Sequence, residues 1–475
     1  MITKIASTFC LLLVSLLSAA SLQAETVSSL SDLTEKLERF DQRFRALSSE
    51  LYDNYVGPDG NKVRPVSGPM RLETLIGPMR LETRVREHLA KDDPVIAIAT
   101  IIQNKELVLK KVRRTAIMGF IKLMLDHNEW QMANELYEHI KKTGLGFQVI
   151  NTSYEFAKFH FRRSEWELCL KALRKISKGY IAAPEMDFYN LMYGVSLQQA
   201  GRYDEAIKYY RLITPASEYN LYSKLNESSS RVNLEGTLDQ VNALQNYIAN
   251  EAMPMPDEVR DYLSLMAAYN FLEKRDYAAA RTAFGRVSSR SRYFNRALLG
   301  VAYVVSQQGE HARALSYTSI LKMKGSTDLA VDESYLLAAD ILSKSRQLQA
   351  ASAAYSDAMA YYGERIKRVD SFLDMTLDSE SVFALASDIN LIHEYPEARS
   401  LFDNMENLGV FMVRSDLFAN DRDFYPRIRQ LYTDYTAIIE EMVKLYMMER
   451  RTHLESYLSQ SRFGLVQMFD MATTQ

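Results

Sequence analysis

Histidine, cysteine and paired acidic residues are the groups in this chain that could carry metal or acid–base chemistry. None of the histidines forms an HExxH or another metal-ligand spacing. They are His88, His127, His139, His160, His311, His393 and His453. Acidic pairs such as Glu440 and Glu441 are common on solvated helices, and no GxSxG, phosphate-loop or dinucleotide motif is present. The sequence therefore predicts no catalytic, metal or cofactor site. A hydrolase built on helical repeats is the alternative, and it requires carboxylates or histidines that cluster in space.

A pattern of three residues recurs in phase along the chain and defines the elements that would position any binding residues. A residue that is usually aromatic is followed by a small residue three positions later and by a larger residue four positions after that. The six sets are Trp130, Ala133, Tyr137; Trp166, Cys169, Leu173; Tyr203, Ala206, Tyr210; Tyr277, Ala280, Phe284; His311, Ala314, Thr318; and Leu348, Ala351, Tyr355. We call this pattern the repeat signature. Six copies in phase indicate stacked helical hairpins, and Cys169 in the small position indicates packing and not nucleophilic catalysis.

The stretch from Asp187 to Ala216 shows one unit in full. Gly194 is the small residue where two helices cross closely, Gly201 ends the first helix, and Tyr203 begins the second. These residues resemble the tetratricopeptide repeat, a helix-turn-helix of about 34 residues that buries its apolar face only by stacking on neighbours. The resemblance covers about residues 114–359 and implies an all-α, right-handed superhelical solenoid of roughly seven to nine hairpins. A degenerate unit is expected between Tyr203 and Tyr277, with Gly236, Leu238 and Val241 as its candidates.

The chain divides into five predicted segments. Residues 1–24 read as a secretory signal peptide, because Lys4 precedes an apolar run from Ile5 to Leu17 and small residues end at Ala24. An uncleaved inner-membrane anchor is the alternative. Residues 25–56 form a heptad helix, 57–90 a linker that leads into a helix, 91–362 the solenoid, and 363–475 degenerate repeats with long C-terminal capping helices. Removal of the signal leaves Cys169 as the only cysteine, so no internal disulfide is expected.

The heptad helix has apolar residues in alternating steps of three and four. They are Leu30, Leu33, Leu37, Phe40, Phe44, Leu47 and Leu51. The seam predicts either a short coiled coil that joins two protomers through residues 30–51 or, as the favoured interpretation, a helix that caps the first hairpin.

The linker carries a sequence duplication. Gly68-Pro69-Met70-Arg71-Leu72-Glu73-Thr74 is repeated without change from Gly77 to Thr83. The duplication is either a docking motif that the chain displays twice or a slippage duplication in an exposed linker. The second interpretation is favoured. Pro78 is predicted in the first turn of a helix that runs to about Lys91, and Pro94 at the start of a short apolar helix.

In the tetratricopeptide family the first helix of each hairpin lines a concave groove, and certain positions of that helix meet ligands. By this resemblance the candidate partner-binding residues are Lys122, Tyr154, Lys158, Phe161, Arg162, Phe188, Gln198, Gln199, Tyr262, Tyr269, Tyr303 and Gln307, with Val195, Asp340 and Lys344 at equivalent positions. Any one of them is more simply explained by packing between hairpins, while the surface as a whole suits a bound peptide. The Lys and Asn pattern of the family's carboxylate clamp is absent.

The C-terminal part keeps the repeat weakly. Tyr395, Ala398 and Phe402 have the spacing of a hairpin, and Pro426 is predicted to open a helical stretch through Met471 that Gly464 interrupts. This stretch should cap the solenoid, and binding of a partner helix is the alternative.

Composition limits the function classes. The chain has 475 residues, 47% of them hydrophobic, and a formal net charge of -3. This charge, without a basic run among aromatics, argues against nucleic-acid binding. The resemblance to tetratricopeptide repeats and the predicted signal peptide lead us to expect a non-enzymatic scaffold in the periplasm of a Gram-negative bacterium. It would bind cell-envelope proteins of a motility, pilus, secretion or outer-membrane assembly machine, with no cofactor and no small-molecule substrate. The alternative is an accessory factor that binds peptidoglycan or exported polysaccharide, with groove Tyr and Phe stacked on sugar rings.

Overall fold

The computed structural model describes residues 23–56, 73–235, 256–324, 328–389, 391–395, 398–414 and 421–473. This part of the chain is all-α and contains no strand, which confirms the predicted fold class. The helices are α1 (Gln23–Asp53), α2 (Glu73–Ala90), α3 (Pro94–Gln103), α4 (Lys105–Lys111), α5 (Arg114–Asp126), α6 (Trp130–Thr143), α7 (Gly146–Arg162), α8 (Trp166–Leu173), α9 (Met186–Gln199), α10 (Tyr203–Tyr210), α11 (Asn220–Glu235), α12 (Asp257–Glu273), α13 (Tyr277–Phe284), α14 (Phe294–Gln307), α15 (His311–Lys322), α16 (Leu329–Lys344), α17 (Leu348–Leu373), α18 (Ser379–Asp388), α19 (Leu391–Glu394), α20 (Arg399–Val413) and α21 (Asp421–Thr473). Across these described helices, none combines the length and apolar composition required to cross a membrane.

The repeat signature corresponds to the second helix of a hairpin in all six copies. Its first residue is the first residue of α6, α8, α10, α13, α15 and α17. The small second residue is 0% exposed in every copy, and the third is at most 5% exposed. The small residue lets the second helix lie close to its neighbours, and the larger one fills the space beside it. These helix pairs are tetratricopeptide-like hairpins, as predicted.

Each hairpin turns through one residue in the left-handed region. Two positions before the second helix, φ is between 57° and 84° at Asp92, Asn128, Ser164, Gly201, Arg275, Gly309 and Arg346. The next residue donates its backbone N–H to the carbonyl five positions earlier, as Glu129 does to Met124 and Glu165 to His160. This is the Schellman ending of a helix, which satisfies a free carbonyl and reverses the chain. Glycine occupies two of these turns, although the geometry favours it at all of them.

A seventh hairpin precedes the six that the signature identifies. Helices α2 and α3 meet at the left-handed turn residue Asp92, and Asp93 caps α3 by accepting a bond from the Ile96 backbone N–H. Pro94, Ala97 and Ile101 occupy the three signature positions, and the last two are 0% exposed. Proline in the first position concealed this unit, since the other copies begin with an aromatic residue, His or Leu.

Close helix crossings depend on glycine at the predicted position. A Cβ placed on Gly194 in α9 would lie 2.5 Å from a ring carbon of Tyr210 in α10. A Cβ placed on Gly300 in α14 would likewise overlap the ring of Phe284 in α13. In both cases the third residue of a repeat signature packs against a glycine, so these crossings leave no space for a larger side chain.

The described residues fall into two compact units, and the first comprises residues 1–230 and 387–439. Within it, the seam of α1 is covered by residues of the same chain. Leu33, Leu37, Phe44, Leu47 and Leu51 are at most 8% exposed. Tyr52 meets Phe411 with ring centroids 5.5 Å apart, and Phe40 meets Tyr435 at 5.7 Å. The helix therefore packs on helices of its own chain, among them α3, α6 and α20.

The same burial corrects the alternative prediction, in which residues 30–51 form a coiled coil between two protomers. A seam helps to join two chains only if its apolar residues are available to the second chain. Here they are already packed against helices of their own chain, and Gln103 Nε2 also donates to the carbonyls of Tyr52 and Tyr55 at the end of α1.

A buried ionic network fastens α1 and α20 to the hairpins in the first unit. Arg163, 3% exposed, donates to Asp41 Oδ1 at 2.6 Å, to Glu165 Oε1 at 2.9 Å and to Asn404 Oδ1 at 3.2 Å. Burial alone would raise the pKa of Glu165, but the imidazole of His160 and the Arg163 guanidinium lower it to about 2. Each of these buried charged groups has lost its hydrating water and is bonded to the other groups instead. Removal of one group therefore leaves another buried charge with fewer partners.

The second unit comprises residues 231–386 and 440–475. Asp332 in α16 is fully buried and accepts bonds from Arg450 in α21, at 2.7 Å, and from the hydroxyl of Tyr361. Tyr361 also stacks on Tyr335 with centroids 3.8 Å apart. Gly464 lies directly against the ring of Tyr355, the last residue of the sixth signature. The C-terminal part of α21 is thereby held on α16 and α17.

Four predictions about helix boundaries are wrong. Pro78 lies inside α2, not in its first turn, and Pro426 lies inside α21, which begins at Asp421. Each proline is the sixth residue of its helix, so it removes one backbone hydrogen bond that the helix would otherwise make to the carbonyl four residues earlier. Gly464 does not interrupt α21, because it serves close packing. Tyr395 precedes α20 and does not belong to a second helix.

Some predictions fall on residues outside the described part of the chain. They are the signal peptide apart from its last two residues, the first copy of the duplicated heptapeptide apart from Glu73 and Thr74, and the degenerate unit at Gly236, Leu238 and Val241. The segment boundaries at residues 91 and 362 stay predictions.

Candidate functional site

A cleft in the first unit is lined by two predicted binding residues, Lys122 and Tyr154, and a third, Lys158, contacts residues of its lining. Its volume is ≈ 390 Å³, and it is lined by α5, by α7 and by the connection that follows α8. Lys122 comes from α5 and Tyr154 from α7, and Lys158 lies one turn beyond Tyr154. We call this the Lys122 cleft. Lys122 and Tyr154 lie on the first helices of consecutive hairpins. These helices are neighbours, so the two side chains line the same cleft.

The floor of the Lys122 cleft is fixed by its own contacts. The hydroxyl of Tyr154 donates to the backbone carbonyl of Glu185 at 3.3 Å. Burial, followed by the carboxylate of Glu185, raises the pKa of Tyr154, so the phenol stays protonated. Lys158 Nζ lies 4.3 Å from the centre of the Tyr154 ring and within 3.4 Å of carboxylate oxygens of Glu155 and Glu185. These partners leave Lys158 little freedom.

Lys122 and Tyr180 are the groups that the cleft presents outward. Lys122 is exposed and, within the described part of the chain, makes no ion pair. Tyr180, in a short 3-10 helix (Lys178–Tyr180), is 54% exposed. Half-buried Asn151 adds an amide to the same lining. The arrangement offers one cation, one amide and one aromatic face, which suits a carboxylate-bearing polar chain.

Sequence reasoning missed Tyr180, Asn151 and Glu185. Tyr180 had a usable signal, because it is an aromatic residue in a connection marked by Gly179 and Pro184, where a buried role is not expected. Asn151 and Glu185 carry no such signal, since their place in the cleft depends on how the connection folds back.

Several predicted groove residues are buried in the packing between helices. Tyr154, Phe161, Gln198 and Tyr262 are 4–5% exposed. Gln198, for example, donates to Ser229 Oγ and accepts the hydroxyl of Tyr210 at 2.5 Å. Val195 is also buried, and Asp340 accepts a bond from the Tyr355 hydroxyl. Such side chains shape the surface without offering polar groups to a partner.

Other predicted residues are exposed or half-buried, but lie apart from the Lys122 cleft. Arg162 pairs with Asp126 at 2.9 Å, and half-buried Phe188 lies between the rings of Phe161 and Tyr219. Gln199 lines a separate cleft of ≈ 490 Å³ beside α1.

In the second unit, the predicted residues Tyr269, Tyr303 and Gln307 are half-buried or exposed. Tyr269 packs edge-on against Phe284, and Gln307 is half-buried. Tyr303 is 37% exposed, with Lys344 Nζ 5.8 Å from its ring centre.

The described residues were compared with the requirements of a metal site and of a reactive thiol. No cluster of three or more His, Cys, Asp or Glu side chains within them could hold a metal ion. Cys169 is buried with its Sγ 3.4 Å from the Ala157 carbonyl, and burial raises the pKa of its thiol to about 12. The thiol is therefore neutral near pH 7 and a poor nucleophile.

Comparison with known proteins shows distant likeness to solved structures. No protein-family model matches the chain, and no curated protein matches it. Among solved structures, the crystal structure of the apo form of RapI is similar at a TM-score of 0.41 and 14% identity, over 69% of this chain and 96% of that chain. A likeness at this level establishes neither a shared family nor a shared function.

Proposed function

We propose that this chain is a non-enzymatic scaffold that binds a segment of a partner protein in the Lys122 cleft. The observation that carries the proposal is the exposed cation of Lys122 beside a fixed floor of Tyr154 and Lys158. Stacked hairpins of this kind present long surfaces to other proteins. A preformed cleft spares the scaffold the entropy cost of ordering itself when the partner binds.

The proposed partner segment bears an acidic side chain or a terminal carboxylate. Lys158 is already paired with two carboxylates, so Lys122 is the cation that a partner would meet. Tyr180 would cover an apolar side chain next to that carboxylate. A contact of this kind fixes the direction in which the segment lies.

The proposed location is the periplasm, and the partner a protein of an envelope machine for motility, pilus formation, secretion or outer-membrane assembly. The order of charged, apolar and small residues in 1–24 supports export.

Photocrosslinking from the cleft tests the proposal in the cells that produce the protein. A photoreactive amino acid replaces Tyr180, and Lys208, exposed on α10, serves as the control position. We expect one protein to be captured from position 180 and not from position 208. The Lys122→Glu substitution should reduce that capture at least tenfold, whereas Lys208→Glu should not. Equal capture from both positions, or capture that Lys122→Glu leaves intact, would contradict the proposal.

A glycan ligand is the second candidate, because Tyr180 and Tyr303 are exposed. Tyr180 is 54% and Tyr303 37% exposed, and rings at such positions can stack on sugars. Sedimentation with isolated peptidoglycan sacculi separates the two functions. Binding that is lost in a Tyr180→Ala, Tyr303→Ala double variant would favour the glycan.

A further inference from the structure

The last turns of α21 have one buried and one exposed face. Ser461 and Met468 are at most 2% exposed, and Gly464 between them lies against Tyr355. On the other side Phe463 is 65%, Val466 55% and Phe469 61% exposed. The contact of Gly464 fixes the rotation of the helix, and so determines that these three side chains point away from its own unit.

The exposed face is a connected apolar surface. At 100° per residue, Phe463 and Phe469 lie about 60° to either side of Val466, so all three belong to one stripe. Single exposed apolar residues are ordinary, but three large ones on successive turns mark a surface that another molecule covers.

Charges border this stripe in a symmetric way. Arg462 precedes Phe463, and Asp470 follows Phe469, so both charges are four residues from Val466 and both are exposed. Read in either direction from Val466, the stripe has a phenylalanine three residues away and a charged residue four residues away. The charge is positive in one direction and negative in the other.

We propose that two copies of this chain associate through this face of α21, with the two helices antiparallel and a twofold axis at Val466. The twofold sets Phe463 of one copy at the level of Phe469 of the other, and Arg462 at the level of Asp470. Opposite charges meet at both ends, and like charges do not. An isologous interface demands this self-complementarity, whereas an unrelated partner gives no reason for it.

The association is weak and depends on concentration. One helix face of about three turns buries less surface than a stable dimer requires, so micromolar concentrations are needed to populate the dimer. The interface uses neither α1 nor the Lys122 cleft. It is therefore independent of the proposed function.

Sedimentation velocity of the full chain over a concentration range tests the proposal. We expect the wild type to pass from monomer to dimer. Arg462→Asp and Asp470→Arg should each raise the dissociation constant at least tenfold, because like charges then meet, and the variant with both substitutions should recover dimerisation. Met448→Ser, which changes an exposed residue of the same helix outside the stripe, should have no effect.

A cysteine at the twofold position gives a second readout that does not depend on charge. Val466→Cys should form a disulfide-linked dimer on mild oxidation, since a residue on the axis faces its own copy, and Met448→Cys should not. The proposal is overturned if the wild type stays monomeric at all concentrations, if the doubly charge-exchanged variant stays as weak as the single ones, or if both cysteine variants crosslink equally.

Discussion

Gly194 lies where the two helices of its hairpin come closest, and its lack of a side chain is a requirement of the packing. We expect Gly194→Ala to lower the free energy of unfolding by about 1–3 kcal/mol, because the added methyl group overlaps the ring of Tyr210. Gly119→Ala is the control, since a Cβ on this exposed residue of α5 meets nothing within 4 Å. That substitution should stabilise the chain by roughly 0.5–1 kcal/mol. Denaturant unfolding measures the change in the free energy of unfolding for each variant. A change of the same sign in both variants would contradict the role of Gly194.

Titration of Glu129 should change the free energy of unfolding as the pH changes. It is buried under α1, accepts bonds from Ser48 Oγ and the Met132 backbone N–H, and burial raises its pKa to about 7 from an ordinary 4.5. The folded chain therefore holds this proton to a higher pH than the unfolded chain does. Its contribution to stability should fall by roughly 3 kcal/mol as the pH rises from about 4.5 to about 7.

Glu129→Gln isolates that titration, because the amide keeps an oxygen for Met132 and offers a donor to Ser48. The difference in unfolding free energy between wild type and variant should shift by this amount between pH 5 and pH 8, in favour of the variant at pH 8. Glu106→Gln is the control, because this exposed carboxylate pairs with Lys110, whose hydrogen bond lowers its pKa; it should show no such shift between pH 5 and pH 8. Parallel pH profiles for wild type and Glu129→Gln would show that Glu129 does not titrate in this range.

Among the elements, α1 depends most on a single side chain of another helix pair. Arg163→Met leaves Asp41 with Arg45 and the Asn404 amide as partners, but removes a buried donor from the Asp41 carboxylate and from the Asn404 amide oxygen, at a cost of about 1–3 kcal/mol. We expect hydrogen exchange to accelerate in residues 33–53 of the variant. Arg162→Met changes the preceding residue, whose contact with Asp126 is exposed, and should leave exchange in α1 unaltered. Equal exchange in both variants would mean that the apolar seam alone holds α1.

The start of the second helix could be predicted from the sequence to the residue in all six copies of the repeat signature, whereas the places of Pro78, Pro426 and Gly464 could not. Signatures that begin at Trp130 or Tyr277 combine a small and a large buried position at helical spacing, so local pattern and packing agree. Gly464 looks like a helix breaker, but its purpose is set by Tyr355, more than 100 residues away in the sequence. The Lys122 cleft was predictable only in its lysines and Tyr154, because Tyr180 reaches it through an irregular connection.

At the scale of the whole molecule, each unit is closed by contacts between residues far apart in sequence, which a simple row of hairpins would not have. In the second unit the closing contact is the buried pair of Asp332 and Arg450. Arg450→Met leaves Asp332 with the hydroxyl of Tyr361 but without its countercharge, and should cost about 3 kcal/mol or more. Hydrogen exchange by mass spectrometry should then accelerate in α16 and α17, while α6 to α8 of the first unit keep their protection, because each unit has its own core and opens by itself. Arg163→Met should give the reverse pattern. If either substitution accelerated exchange in both units to the same extent, the chain would unfold as one cooperative body, and the buried pair would stabilise all of it.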